Sequence, residues 1–343
     1  MCKFANANPA AIAVAVTLLA AAICAVLIVL LRPVLQRYAL ARPNARSSHK
    51  IPTPQGAGIA VIGATLVVGG AFASVNGFAP LTSLFVAVPL LALVGLVDDI
   101  RPIPVLPRFV LQALAVGLVV FTAPDDLRLL PIPLAIERTL LLIAGLWFVN
   151  LVNFMDGLDL MTVAEAVPVT AMLVLFGIFG LLPWPVTAIA AALGGAMLGF
   201  APFNRPVAKV FLGDVGSLPI GLLLGWSLLQ LAWQGSIAAA LLLPLYYLVD
   251  ATLTLLRRMA RREPFWAAHR AHFYQRATDN GFTVAGVVGD VFVLNIGLAV
   301  LAGASVVLRS VAADAILIVV GLGAVAVVLR RFSQPRVRPS GGA

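Results

Sequence analysis

The chain alternates long apolar runs with short polar breaks. Runs of about twenty apolar residues match the hydrocarbon thickness of a bilayer and exceed what a soluble amphipathic helix needs. They predict helices near residues 9–31, 57–75, 80–97, 107–123, 138–155, 162–181, 185–202, 217–233, 236–256, 284–306 and 311–329. At roughly 20 residues per crossing, about eleven crossings would use about 220 residues, so most of the chain is expected in lipid. The expected fold class is all-α: a polytopic membrane protein with about eleven transmembrane helices, forming one integral domain over residues 1–343. The first run is too long for a signal-peptide core and its basic flank follows it, so it reads as a retained anchor. The stretch from Arg330 to Ala343, with Pro335, Pro339, Gly341 and Gly342, reads as a disordered basic tail.

Composition narrows the class. With 62% hydrophobic and 11% charged residues, the chain departs from the soluble globule, which carries about a quarter charged residues. Cys2 and Cys24 are its two cysteines, both early in the chain, which leaves no disulfide framework and no thiolate zinc site.

The net charge of +9 acquires its meaning from position. If the N-terminus lies outside, nineteen Lys and Arg residues fall on the inner side and four, Lys3, Arg128, Arg138 and Arg309, fall outside. Positive loops stay in the cytoplasm, so the expected orientation is N-terminus outside and C-terminus cytoplasmic. The basic balance then reports topology and needs no nucleic acid.

The same map sorts the acids. Asp125, Asp126, Glu137 and Asp314 fall in outer loops, as solvated charges would. Asp98, Asp99, Asp156, Asp159 and Asp214 fall at inner helix ends in three different loops, near Asn150, Asn153, Ser217, His269 and His272. Any one of them could be a snorkelling helix terminus. Five carboxylates crowded at one membrane face repel one another unless a cation gathers them. Hard oxygen donors with few histidines point to Mg2+, with Mn2+ as the alternative, and such an ion takes further oxygens from substrate phosphates. In Gly213-Asp214-Val215-Gly216-Ser217, Ser217 is expected to cap a helix start whose free N–H groups admit an anion. The spacing of three along Asn150, Asn153, Asp156 and Asp159 brings successive pairs within reach on a helix, though Gly157 is a candidate helix stop. The basic segment Arg257–Arg262 leads to His269-Arg270-Ala271-His272-Phe273-Tyr274-Gln275-Arg276. Its cations suit either anionic headgroups or bound phosphates.

These stretches carry a resemblance. Pro43-Asn44-Ala45-Arg46-Ser47-Ser48-His49 with Pro52-Thr53-Pro54, Val97-Asp98-Asp99, Asn150 through Asp159, Val210 through Ser217 and His269 through Arg276 occur in one order. Together they resemble the polyprenyl-phosphate N-acetylhexosamine-1-phosphate transferases, the family that includes the phospho-N-acetylmuramoyl-pentapeptide transferases. The resemblance implies transfer of a sugar 1-phosphate from a UDP-N-acetylhexosamine, or a 6-deoxy relative, to undecaprenyl phosphate in the bacterial inner membrane, with UMP released and Mg2+ as cofactor. The His-Arg-x-His form is similar to the branch that starts O-antigen, capsule or exopolysaccharide units. The family pattern implies metal ligation by Asp214, with Asp159 as the expected second ligand, and Asp98, Asp99, Asp159, His269 and His272 are expected in the chemistry. His49, Asn150, Asn153, Asp156, Ser217, Arg270 and Arg276 are then expected to bind substrate. Ala41, Gln55, Ala57 and Leu160 depart from the family pattern, Leu160 standing where a glycine is usual. Two alternatives stay beside this reading: a secondary transporter, for which no internal repeat is visible, and an inactive lipid-binding relative. Self-pairing and the identity of the sugar are left open by the sequence.

Overall fold

The computed structural model describes residues 8–41, 52–73, 81–264 and 269–336. His49, with the rest of the Arg46–Lys50 stretch, lies outside the described residues. The described residues are mostly helical, as the apolar runs require, because a backbone in lipid must satisfy its own N–H and C=O groups. The helices are α1 (Pro9–Tyr38), α2 (Gly58–Ala64), α3 (Gly70–Ala73), α4 (Thr82–Ile100), α5 (Val105–Phe121), α6 (Leu134–Met155), α7 (Met161–Ile178), α8 (Trp184–Asn204), α9 (Asp214–Trp233), α10 (Ile237–Leu242), α11 (Leu245–Ala260), α12 (Phe273–Asp279), α13 (Val284–Leu308) and α14 (Val311–Phe332).

Among the described residues, eight helices are long and apolar enough to cross a membrane, and Gly58–Ala73 and Val105–Phe121 are shorter apolar helices. Three details differ from the sequence pattern. The expected span 236–256 is two helices, α10 and α11, interrupted at Leu243 and Pro244, because proline lacks an N–H and its ring clashes with the preceding turn. The expected span 57–75 passes through a π turn at Thr65–Gly69 between α2 and α3. Of the stretch expected as a disordered tail from Arg330, the part through Phe332 belongs to α14 and the Arg336 N–H donates to Asn280 O at 2.8 Å, while residues 337–343 lie outside the described residues.

Helices α8 and α9 are the most enclosed spans, whereas α1 and α14 leave most of their surface unburied. At the end of the bundle that carries the carboxylates, β1 (Leu40–Ala41) pairs antiparallel with β2 (Thr53–Pro54), Leu40 opposite Pro54 and Ala41 opposite Thr53. The chain after β2 is stitched to the approach to α9: Phe211 N–H donates to Pro54 O at 2.7 Å, and Gly58 N–H to Leu212 O at 2.9 Å. This brings α2 and α9 together at Gly58 and Gly216, where a Cβ on Gly58 would stand 2.3 Å from the Gly216 backbone. Only glycine allows so close an approach.

Candidate active site

The site begins with a backbone contact. A Cβ on Gly95 of α4 would lie 2.2 Å from Asp214 O, so the missing side chain lets α4 lie directly against the first turn of α9. One turn on, Asp99 reaches across to that turn. Its carboxylate accepts from Asp214 N at 2.9 Å and Val215 N at 3.1 Å, and from Gln55 Nε2 at 2.5 Å. A helix start leaves N–H groups unpaired, and here a carboxylate from another helix satisfies two of them. Gly213, at φ 77°, makes the bend that opens α9.

This corrects the sequence expectation for Ser217. It lies inside the first turn of α9 and is buried, and its Oγ accepts from Asn153 Nδ2 at 2.8 Å. Asp99 is the cap, so those N–H groups are already taken. The cap could not be read locally because it comes from a residue 115 positions away.

Asp98 turns the other way. It accepts from Ile103 N at 2.6 Å and Arg108 Nη1 at 2.8 Å, fixing the bend between α4 and α5. The same Arg108 nitrogen lies 4.0 Å from Asp214 Oδ2, so one guanidinium stands between two carboxylates. Arg108 was legible in the sequence only as one of the inner-side cations. Asp214 Oδ1 accepts from Asn153 Nδ2 at 2.8 Å, and about a quarter of its side chain stays open to solvent.

The Asn-rich segment divides at the end of α6. Asn153 faces Asp214, while Asn150, one turn deeper, is buried and donates to Gln112 Oε1 and Leu146 O, both at 2.8 Å. Asp156 follows the helix end and accepts from the Thr162 hydroxyl. Burial, with the charges of Asp214, Asp99 and Asp159 nearby, pushes the Asp156 carboxyl up to about 8. Burial is the larger cause, and repulsion from the neighbouring carboxylates adds to it. Asp159 accepts from Ala208 N at 3.0 Å. Leu160 adopts φ 63°, the left-handed conformation that favours glycine, and its N–H donates to Asn204 Oδ1 at 2.7 Å. The glycine pattern of the family thus has a backbone reason, and Leu160 holds the turn at a steric cost.

The His-Arg-x-His segment meets this cluster through Tyr274, whose hydroxyl donates to Phe154 O at 2.9 Å. Gly157 admits that ring, since a Cβ there would stand 2.2 Å from the Tyr274 hydroxyl. His269 and His272 stack at 5.0 Å. Burial, with His272 and Arg258 beside it, pushes His269 down to about 4, and its Nδ1 accepts from Ala271 N at 3.3 Å, as a neutral ring does. Arg270 bonds Thr278 at 2.8 Å and pairs with Asp279 at 3.1 Å, while Arg276 is exposed on α12.

Among the described residues, no group of three or more His, Cys, Asp or Glu side chains is placed to hold a metal ion by itself. The donor set nevertheless fits a hard, water-rich cation. Such an ion needs one or two carboxylates and takes its other oxygens from water and phosphate, and Asp214 offers a partly open carboxylate oxygen beside several like charges.

A family model for glycosyl transferase family 4 matches residues 81–232, a region that holds Asp98, Asp99, Asn153, Asp156, Asp159 and Asp214. The decaprenyl-phosphate N-acetylglucosaminephosphotransferase of Mycolicibacterium smegmatis is 31% identical over 284 residues, 71% of this chain and 69% of that protein. The probable undecaprenyl-phosphate N-acetylglucosaminyl 1-phosphate transferase of Bacillus subtilis is 25% identical over 274 residues, 73% of this chain and 74% of that protein. The phospho-N-acetylmuramoyl-pentapeptide-transferase of Streptococcus pyogenes is 32% identical over 112 residues, 32% of each chain.

Proposed function

From the premise that the chain belongs to glycosyl transferase family 4, among the polyprenyl-phosphate sugar-phosphate transferases, we propose that it moves an N-acetylhexosamine 1-phosphate from a UDP-sugar to undecaprenyl phosphate. The observation that carries the reading is the convergence of acidic groups from the end of α4, the α6–α7 turn and the start of α9 at one end of the bundle, with Asn153 bridging Asp214 and Ser217. A phosphate oxygen of the lipid attacks the phosphorus that bears the sugar, the bond from that phosphorus to UMP breaks, and UMP leaves with the electron pair. A lipid phosphate is already mostly ionised near neutral pH, so positioning and charge supply most of the rate.

Asp214, with Asp159 from the neighbouring turn, is the proposed holder of Mg2+ or Mn2+. When bound, this ion would neutralise charge on the donor diphosphate. Asp99 has its oxygens committed to α9 and Gln55, and Asp98 to Arg108 and Ile103. Those bonds favour orientation over proton transfer for both. Arg108 stands where it can meet a phosphate oxygen once a cation relieves it of Asp214. Asn153 and Asp156 shape the donor side, and His269, His272 and Arg270 lie on the segment that would grip its phosphates.

The basic loops at the same end support a site on the cytoplasmic face of the bacterial inner membrane, with the N-terminus outside. The His-Arg-x-His form supports the branch that initiates O-antigen, capsule or exopolysaccharide. Purified protein incubated with undecaprenyl phosphate, Mg2+ and a panel of UDP-sugars should release UMP and yield a lipid diphosphosugar identified by mass. Turnover with no member of the panel would overturn the reaction.

A further inference from the structure

Asp250 lies outside the carboxylate cluster, on α11, and is fully buried. It nevertheless collects five donors. Oδ1 accepts from Phe273 N at 3.1 Å and Thr254 Oγ1 at 3.3 Å and lies 3.3 Å from His272 Nδ1, while Oδ2 accepts from Tyr246 OH and Tyr274 N, both at 3.2 Å. Three of these partners, His272, Phe273 and Tyr274, are consecutive, so one carboxylate fixes the entry to α12. A carboxylate in this setting has only lone pairs to offer. A carboxylate accepting on every side would place the proton of the 3.3 Å His272 contact on Nδ1 and leave Nε2 as the other nitrogen.

The consequence travels toward the reacting end of the molecule. The His272 ring is stacked between His269 at 5.0 Å and Tyr274 at 5.8 Å, with Phe154 6.3 Å away. Tyr274, held through its N–H by Asp250, donates its hydroxyl to Phe154 O, next to Asn153 and two residues before Asp156. Asp250 thus touches both the His272 ring and the backbone that seats the segment against the end of α6.

We propose that Asp250 is a positioning residue that acts through His272, fixing its Nδ1-protonated tautomer so that Nε2 faces the donor phosphates; the role rests on reading the His269–Arg276 segment as the phosphate grip. Loss of the outer partner that orients a metal-ligating histidine typically costs about 10–100-fold, and a loss in that range is expected for His272. Replacement by asparagine keeps the shape but puts an NH2 group where one of the two oxygens now accepts, so the five donors can no longer all be met.

The test uses the full chain in lipid nanodiscs. The sequence holds three histidines, so 15N-histidine labelling gives a spectrum in which His272 is assigned by its loss in His272→Gln. The expected result is an Nδ1-protonated His272 in the unaltered protein and a shifted tautomer in Asp250→Asn. UMP release by that variant should fall about 10–100-fold, mainly in kcat, with KM for the UDP-sugar less affected. In a His272→Gln background the same substitution should cost less than about threefold, because residues acting through one contact are not additive. An Nε2-protonated ring in the unaltered protein, an unchanged tautomer in Asp250→Asn, or losses that multiply in the double variant would each overturn the proposal. If Asp250→Asn does not fold, the unaltered protein's tautomer and the same assays on Asp250→Glu decide it. If the unaltered protein releases no UMP, the reaction reading fails while the tautomer still tests Asp250.

Discussion

Asp99 and Asp250 perform the same local task in different company. Each leaves its own helix to accept two N–H groups at the start of another, Asp99 at α9 and Asp250 at α12. Around Asp250 the remaining partners are hydroxyls and one imidazole, and every contact is a donor. Around Asp99 stand Asp98, Asp156 and Asp214, with Arg108 as the cation among them that contacts Asp98 directly. A satisfied carboxylate holds a segment still. Surplus negative charge is a cost that a structure retains where a cation or a positively assisted substrate will meet it. The difference in surroundings therefore separates a tether from a reaction centre more sharply than the residue type does.

The strongest test of that contrast is the unequal response to charge removal. Asp214→Asn should lower UMP release by about 10²–10³-fold, the range seen when one group that stabilises transition-state charge is lost. In the unaltered protein, Mg2+ at about 100 times its Kd should raise the unfolding free energy by about 2.7 kcal/mol. Calorimetry in detergent should show that gain removed by Asp214→Asn and kept by Asp250→Asn. Equal Mg2+ gains in the unaltered protein and Asp214→Asn would erase the distinction.

Next comes the contact that lets Asp99 reach α9. Gly95→Ala places a Cβ 2.2 Å from Asp214 O, and overpacking of this kind costs about 1–3 kcal/mol. The expected outcome is a lower denaturation midpoint together with reduced turnover, since the two helices must separate. An alanine variant of unchanged stability and rate would show that the close crossing is not needed.

A smaller effect is expected at Leu160. Both Leu160→Gly and Leu160→Ala lose the same packing, but glycine adopts φ 63° freely and alanine does not. The glycine variant should therefore be more stable than the alanine variant by about 1 kcal/mol. Chemical denaturation of the pair checks this, and the reverse order would deny strain at that turn.

The last effect, absent at neutral pH and growing only on acidification, is the titration of His269, held down to about 4 by burial and by His272 and Arg258. The unfolded chain takes up this proton near the ordinary histidine value of about 6.5, so it binds more protons than the folded chain between that pH and about 4. Stability should therefore fall as pH drops through this window. His269→Gln should flatten part of that slope, as measured by melting temperature against pH.

Much of the fold and part of the site were open to sequence reading, for identifiable reasons. Apolar run length sets helices because lipid offers no other partner for the backbone, and ten of the eleven expected segments each correspond to one helical rod, if Gly58–Ala73 is counted as one. The break at Pro244 was visible as a residue but not as an interruption, since other helices in this chain carry an internal proline, such as Pro89 in α4 and Pro219 in α9, without being divided. Asp98, Asp99, Asp156, Asp159 and Asp214 could be grouped by topology alone. Arg108, Gln55 and Asn204 could not be given their contacts, because each is defined by a partner from another loop.

The sequence by itself determined that this is a helical membrane protein with five aspartates gathered at one end, because hydropathy and charge act on each residue locally and need no neighbour to be counted. Tertiary structure decided which acid tethers, which stays open and which histidine lies against a buried carboxylate. Those properties belong to contacts a few ångströms long between residues as far apart as Asp99 and Asp214, or Asp250 and His272, and no local pattern encodes such distances.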